Sequence, residues 1–208
     1  MVCFTVFVGG GSPTGVLSFP MQLDLDRAVL LSVDMQQAFD AAPWPRRWND
    51  AVDANGLALL AAWRDAKRPI VHVRHDSIQR GSTLGPGAPG NVFRPGFGPQ
   101  GDEPLIAKSV NSAFIGTDLD ERLRKLGAKH VVAFGISTDM CVSTTVRMGA
   151  NLGWDMILVP DACDCFDLPC PFGGPWIPAV QVHSTHVATL AYEFCRVVPT
   201  AELAGVRA

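Results

Sequence analysis

An excess of charge of either sign is missing from this chain. Lys and Arg number 17 against 20 Asp and Glu in 208 residues, a formal net charge of -3, and charged residues make up 18%. A basic surface that holds nucleic acid is therefore not expected, nor is an acidic tail, and the expected partners are a small-molecule substrate and further copies of the chain. Long apolar runs are also missing. Nothing approaches the roughly 18 consecutive apolar residues of a membrane-spanning helix, so no membrane partner is expected. Cysteine is sparse: Cys3, Cys141, Cys163, Cys165, Cys170 and Cys195 are too few for a disulfide scaffold and form no C-x-x-C pair, which fits a reducing, cytoplasmic location. No G-x-x-x-x-G-K-[ST] or G-x-G-x-x-G segment lies between a strand and a helix, which excludes the common phosphate loops. The first 20 residues are apolar and glycine-rich, yet carry no basic leader and no clean cleavage site, so they do not read as a signal peptide. They are expected to be an extension, with an edge hairpin around Gly9 to Gly11 as the competing reading, ahead of one domain over 21–208.

What is present alternates. Ala28 to Val33 is a continuous apolar run, the pattern of a central parallel strand, and it ends at Asp34. Val52, Leu59, Leu60 and Trp63 then recur at helical spacing until Pro69 stops the helix, and Ile70 to Arg74 reads as the second strand of a right-handed βαβ unit. His72 and His75 are three apart in an extended segment and point to opposite faces, which favours structural or substrate-contacting roles over a shared metal. Residues 81–104 hold seven glycines and five prolines together with Val92, Phe93 and Phe97, and are expected to form an ordered flap that borders a pocket or packs on a neighbouring subunit. Leu105 to Ala107 is a short apolar run closed by Lys108. A helix follows with Thr117 as its cap and Asp120 at the capping-box position, and Gly127 ends it. Val131 to Phe134, Met156 to Val159 and Arg196 to Pro199 read as further strands, and Pro178 to Phe194 as the last long helix. Between them lie helix 139–152 and a proline-rich loop, 168–178. The sum is a three-layer α/β/α sandwich on a mainly parallel sheet.

Gly135 to Val142 organises the rest. The stretch Gly-Ile-Ser-Thr-Asp-Met-Cys-Val follows a buried strand and opens a helix, so Cys141 lies where free N–H groups point out of a helix end. With Thr138 as N-cap, Asp139, Met140 and Cys141 become the first helical residues, and the positive end of the helix is expected to lower the thiol pKa. Asp34, Lys108 and Cys141 all fall at carboxyl ends of strands, where open α/β sheets place their ligands. Together they supply a nucleophile, a carboxylate that moves its proton and a cation that orients the acid and holds the thiolate charge. A zinc site from Cys163, Cys165 and Cys170 has the wrong spacing and no histidine close in sequence.

Val33-Asp34-Met35-Gln36, the run Lys108 to Phe114 with Thr117 and Leu119, and Gly135 to Val142 in Thr-Asp-Met-Cys-Val form resemble the isochorismatase-like cysteine hydrolases over about residues 26–200. The resemblance implies a Rossmann-like six-stranded sheet and an Asp34-Lys108-Cys141 triad. It also implies a cis bond between Ile136 and Ser137 that turns the N–H groups of Ser137 and Cys141 into an oxyanion hole. Members similar to this chain hydrolyse C–N bonds of amides and carbamoyl compounds and commonly form dimers or larger oligomers, which sets the expectation of a dimer or tetramer. Gln36, Phe39, Trp44, Asn111 and Phe114 are the expected substrate contacts. The Asp-x-His pair of the metal-binding nicotinamidase branch is absent between Asp34 and Trp63, so no metal and no other cofactor is expected. Vinyl ether cleavage of the isochorismate type does not call for a cysteine nucleophile, which leaves it the alternative, beside a redox sensor or a catalytically silent oligomer.

Overall fold

The computed structural model describes residues 23–45 and 47–205, so the N-terminal 1–20 segment lies outside it. Six strands form one parallel sheet: β1 (Ala28–Val33), β2 (Ile70–His75), β3 (Leu105–Lys108), β4 (His130–Ile136), β5 (Asp155–Asp164) and β6 (Cys195–Val197). Their order across the sheet is β3-β2-β1-β4-β5-β6. β1 and β4 are buried along their whole length, as their unbroken apolar runs require of strands covered on both faces.

Among the described residues five α-helices make the outer layers: α1 (Val52–Asp65), α2 (Leu119–Lys125), α3 (Ser143–Asn151), α4 (Ala179–Glu193) and α5 (Thr200–Ala204). Right-handed crossovers fix their sides, because the chain winds towards β3 through α1 and towards β6 through α2, α3 and α4. Accordingly α1 packs with α5, and α3 packs with α4. None of the described helices is long and apolar enough to cross a membrane.

Winding starts in both directions from the centre, so β1 and β4 leave a crevice at their carboxyl ends, the switch point where sheets of this order bind ligands. Close approach there depends on glycine. Gly135 sits opposite Val33 at φ +139°, and a Cβ at that position would lie 1.9 Å from the Val33 carbonyl oxygen.

Several element boundaries differ from expectation. β5 runs through Pro160 and Asp161 to Asp164, because the ladder with β4 slips after Ala133 and resumes at Gly135 opposite Cys163. The last strand is Cys195–Val197 and is followed by α5, a single short helix that no periodicity announced. α2 begins after Asp118; Thr117 instead accepts the Leu119 N–H at 3.3 Å, and Asp120 binds the Trp154 indole at 2.8 Å rather than closing a capping box.

Candidate active site

Four strand ends deliver four side chains to the crevice. Asp34 follows β1 directly, in a left-handed backbone conformation (φ +52°) that departs from the line of the strand. His75 and Lys108 close β2 and β3 and are register partners, so their side chains rise from the same face. Cys141 comes from the turn beyond β4 and is 8% exposed.

Lys108 Nζ donates to Asp34 Oδ2 at 2.6 Å and reaches His75 Nδ1 at 3.0 Å, with both members of the Lys108–Asp34 pair fully buried. The Cys141 sulfur lies 3.9 Å from His75 Nδ1. One ligand atom each from Asp34, His75 and Cys141 fall within 4.8 Å of one another. A cation could be held by such a set, but an ammonium group already takes the lone pairs of Asp34 Oδ2 and His75 Nδ1. Asp34 Oδ1 is buried without a hydrogen-bond partner, so one face of the carboxylate is free to accept a proton.

The thiol pKa goes the opposite way from the expectation. Burial pushes the Cys141 thiol up, the charge of Asp34 adds to that, and Lys108 does not reverse it. Asp34 is also raised, by burial first, with Lys108 opposing. The resting pair is therefore a neutral thiol beside a carboxylate that is more basic than usual, rather than a preformed thiolate.

The first turn of the Cys141 helix is also built differently. Ser137, in extended conformation, takes the cap position, and Thr138–Val142 forms a wide π-type turn in which the Val142 N–H bonds the Ser137 oxygen at 3.1 Å. Thr138 cannot cap because its hydroxyl is used elsewhere, at 3.2 Å from the Asp164 carbonyl oxygen and 2.9 Å from His183 Nδ1. The Ile136-Ser137 peptide bond is cis.

The expected substrate contacts divide. Gln36 is fully buried and its amide is consumed: it donates to His75 O (3.1 Å) and Asn91 O (2.8 Å) and accepts the His75 N–H (2.8 Å). It ties the end of β2 to the 81–104 segment. Phe39 and Trp44 meet edge to face at 4.8 Å, and Phe166 packs on Trp44 at 5.0 Å. Phe39 and Trp44 border a polar cleft of about 400 Å³ walled also by Arg47 and Arg94, and none of Asp34, Lys108 and Cys141 lines it. Asn111 is exposed and Phe114 half-buried on the segment after β3. The 81–104 flap is ordered on its own chain, with Phe97 against Phe134 and the Asn91 amide on Leu84 O and Asp76. His75, read from the sequence as structural or substrate-contacting, stands beside Lys108 and Cys141, though it was not placed with the Asp34, Lys108 and Cys141 set. Its signal was a place at a strand end equivalent to those of Asp34 and Lys108.

A family model described as Isochorismatase domain matches residues 28–202. An uncharacterised isochorismatase family protein of Bacillus subtilis, YrdC, is 34% identical over 86% of this chain and 95% of its own length. Nicotinamidase 3 of Arabidopsis thaliana is 27% identical over 82% of this chain and 84% of its own. The crystal structure of a hydrolase of the isochorismatase family from Chromobacterium violaceum superposes with a TM-score of 0.85 at 40% identity, covering 90% of this chain and 96% of that one. A cysteine hydrolase from Pseudomonas syringae pv. phaseolicola gives 0.79 at 26% identity, covering 88% and 93%.

Proposed function

The chain belongs to the isochorismatase family, and from that premise we propose that it cleaves a C–N bond of a small amide, carbamoyl or ureide substrate through an acyl-enzyme on Cys141. The observation that carries this reading is the buried Lys108–Asp34 pair, whose free Asp34 Oδ1 belongs to a carboxylate within reach of the sulfur. Similarity to a nicotinamidase and to a cysteine hydrolase supports the bond type and the nucleophile.

As the sulfur adds to the carbonyl carbon, Asp34 takes the thiol proton, so no thiolate has to persist in a buried site. Negative charge then develops on the carbonyl oxygen, and the N–H groups of Ser137 and Cys141 are the proposed donors to it. Collapse breaks the C–N bond while Asp34 returns its proton to the leaving nitrogen. Water next attacks the thioester, losing a proton to Asp34, and expulsion of the sulfur with that proton restores the thiol. Lys108 stays charged throughout and keeps the carboxylate in place. Because its ammonium already bonds Asp34 Oδ2 and His75 Nδ1, the proposed reaction uses no metal, and dialysis against a strong chelator is expected to leave turnover intact.

The functional unit is proposed to be a homo-oligomer in a reducing cytoplasm; the described cysteines are all free thiols, in keeping with that location. The direct test is a screen of primary amides, carbamates and ureas for ammonia release by the wild type and Cys141→Ala. Turnover lost by several orders of magnitude in the variant is expected, and turnover retained by it would sink the mechanism.

A further inference from the structure

Of the nitrogen- and oxygen-bearing groups at the strand ends, Asp34, His75 and Lys108, only His75 has a polar atom that is neither bonded within the described residues nor enclosed. Lys108 Nζ has two partners, Asp34 Oδ2 is taken and Asp34 Oδ1 is enclosed. His75 is half-buried, and its Nε2 neither bonds the described residues nor is among their enclosed, unpartnered atoms. Which nitrogen carries the proton follows from its neighbour. An ammonium group has donors and no acceptor, so His75 Nδ1 at 3.0 Å from Lys108 Nζ must be the lone-pair nitrogen. The proton of the neutral ring is then on Nε2.

We propose that His75 is a fourth working residue of this site, accepting from Lys108 through Nδ1 and donating its Nε2–H to an acceptor atom of the substrate beside the scissile carbonyl. The substrate class this selects is an amide with a second acceptor, a carbonyl, carboxylate or ring nitrogen, next to the reacting group. The inference rests on the hydrolase reading above for its substrate half, and on geometry alone for its Lys108 half.

Charges around the ring agree. Burial and the Lys108 ammonium lower the His75 pKa, while Asp34 across the crevice and Asp76 next in the chain act against them; Cys141, the remaining neighbour, is a neutral thiol. Neutral His75 is thus the working form. Protonation would place a second donor in front of Lys108 and break the Nδ1 contact.

Two measurements on the full-length chain decide it. In protein labelled with ¹⁵N-histidine, the His75 resonance, identified by its loss in His75→Asn, is expected to report a neutral ring with the proton on Nε2 at pH 7. In Lys108→Met the tautomers should mix. An Nδ1–H tautomer or an imidazolium in the wild type would overturn the assignment, whatever the enzyme does. In kinetics on an amide found by the ammonia screen, His75→Asn keeps an oxygen for Lys108 and loses the outward donor. It is expected to raise KM about 3- to 10-fold, as loss of one neutral hydrogen bond does, with kcat changed less. His75→Leu removes both contacts and should lower kcat as well. An unchanged KM in His75→Asn would remove the substrate contact, and equal losses in the Asn and Leu variants would reduce His75 to a structural residue. A wild type that turns over no amide would overturn the hydrolase reading, and with it the substrate contact, while the NMR arm would still decide the Lys108 half.

Discussion

Asp34 and Cys141 are displaced in the same direction by the same cause, burial; the charge of Asp34 raises the thiol further, whereas the hydrogen bond from Cys141 favours the ionised carboxylate. Two outcomes follow. Because the base must be ionised to accept the thiol proton, kcat/KM should fall as pH drops through the raised Asp34 pKa, placing the acid limb above the ordinary carboxylate range of about 4. A pH profile with its acid limb at or below that range would contradict the assignment. Because the thiol is held up rather than down, alkylation of Cys141 by iodoacetamide at pH 7 should be slower than that of an unperturbed cysteine; faster alkylation, traced by mass spectrometry of the labelled peptide, would restore a preformed thiolate. Away from the site Glu103 shows the reverse behaviour. Burial pushes its carboxyl up, but bonds from Arg64, the Gln100 N–H and His72 outweigh it and hold the pKa at about 2. The stability this group contributes is present above its ordinary 4.5 and is lost as pH falls from there towards about 2. Glu103→Gln is therefore expected to lower stability at pH 7 by about 1–3 kcal/mol and to flatten the acid side of the denaturation curve; an unchanged curve would deny Glu103 that role.

Between residues and the whole fold, what matters is how β1 and β4 meet and what covers their ends. Gly135→Ala would set a methyl group 1.9 Å from the Val33 oxygen in a conformation that L-residues avoid, so β1 and β4 would have to part. Destabilisation above about 4 kcal/mol, or no soluble protein, is expected, and near-normal thermal unfolding would show that the juncture is looser than described. The segment between β1 and α1, which carries Phe39 and Trp44, is clamped by Arg47, whose guanidinium bonds Asp40 at 2.7 Å and buried Asp164 at 2.8 Å. These features were unequally legible in the sequence. The central strands β1 and β4 were readable because burial on both faces leaves continuous apolar runs, and Asp34, Lys108 and Cys141 were readable as candidates because each stands at or beyond the end of a strand. The partners of the Gln36 amide were not, since its direction depends on where Asn91 lies, 55 residues away. The thiol pKa was misjudged for a related reason: a helix terminus is local and readable, whereas burial is made by segments distant in the chain. The start of the Cys141 helix was assigned from the capping preference of Thr138, and tertiary partners, Asp164 and His183, took that hydroxyl instead.

At the scale of the molecule the chain leaves aromatic surface in water. Phe172 is 96% exposed and Trp176 55%, both on the loop whose ends are pinned by the mutual backbone bonds of Leu168 and Ile177. A phenylalanine side chain has about 150–250 Å² to bury, which at about 25 cal/mol per Å² contributes roughly 4–6 kcal/mol. A two-fold axis places each loop in the contact twice and doubles that term. The result is comparable with the approximately 4–15 kcal/mol lost in association, so Phe172 alone does not secure a dimer and Trp176 has to contribute. The expected outcome is a dimer or larger assembly of the wild type in analytical ultracentrifugation at assay concentration. Phe172→Asp together with Trp176→Asp should shift it towards monomer by charging the contact, with far-UV circular dichroism unchanged because neither ring is part of the core. If the loop also helps to close the crevice, KM should rise in the same variant while the residual kcat stays within a few-fold of wild type. A wild type that sediments as a monomer and is fully active would show that the exposed rings serve some purpose other than assembly.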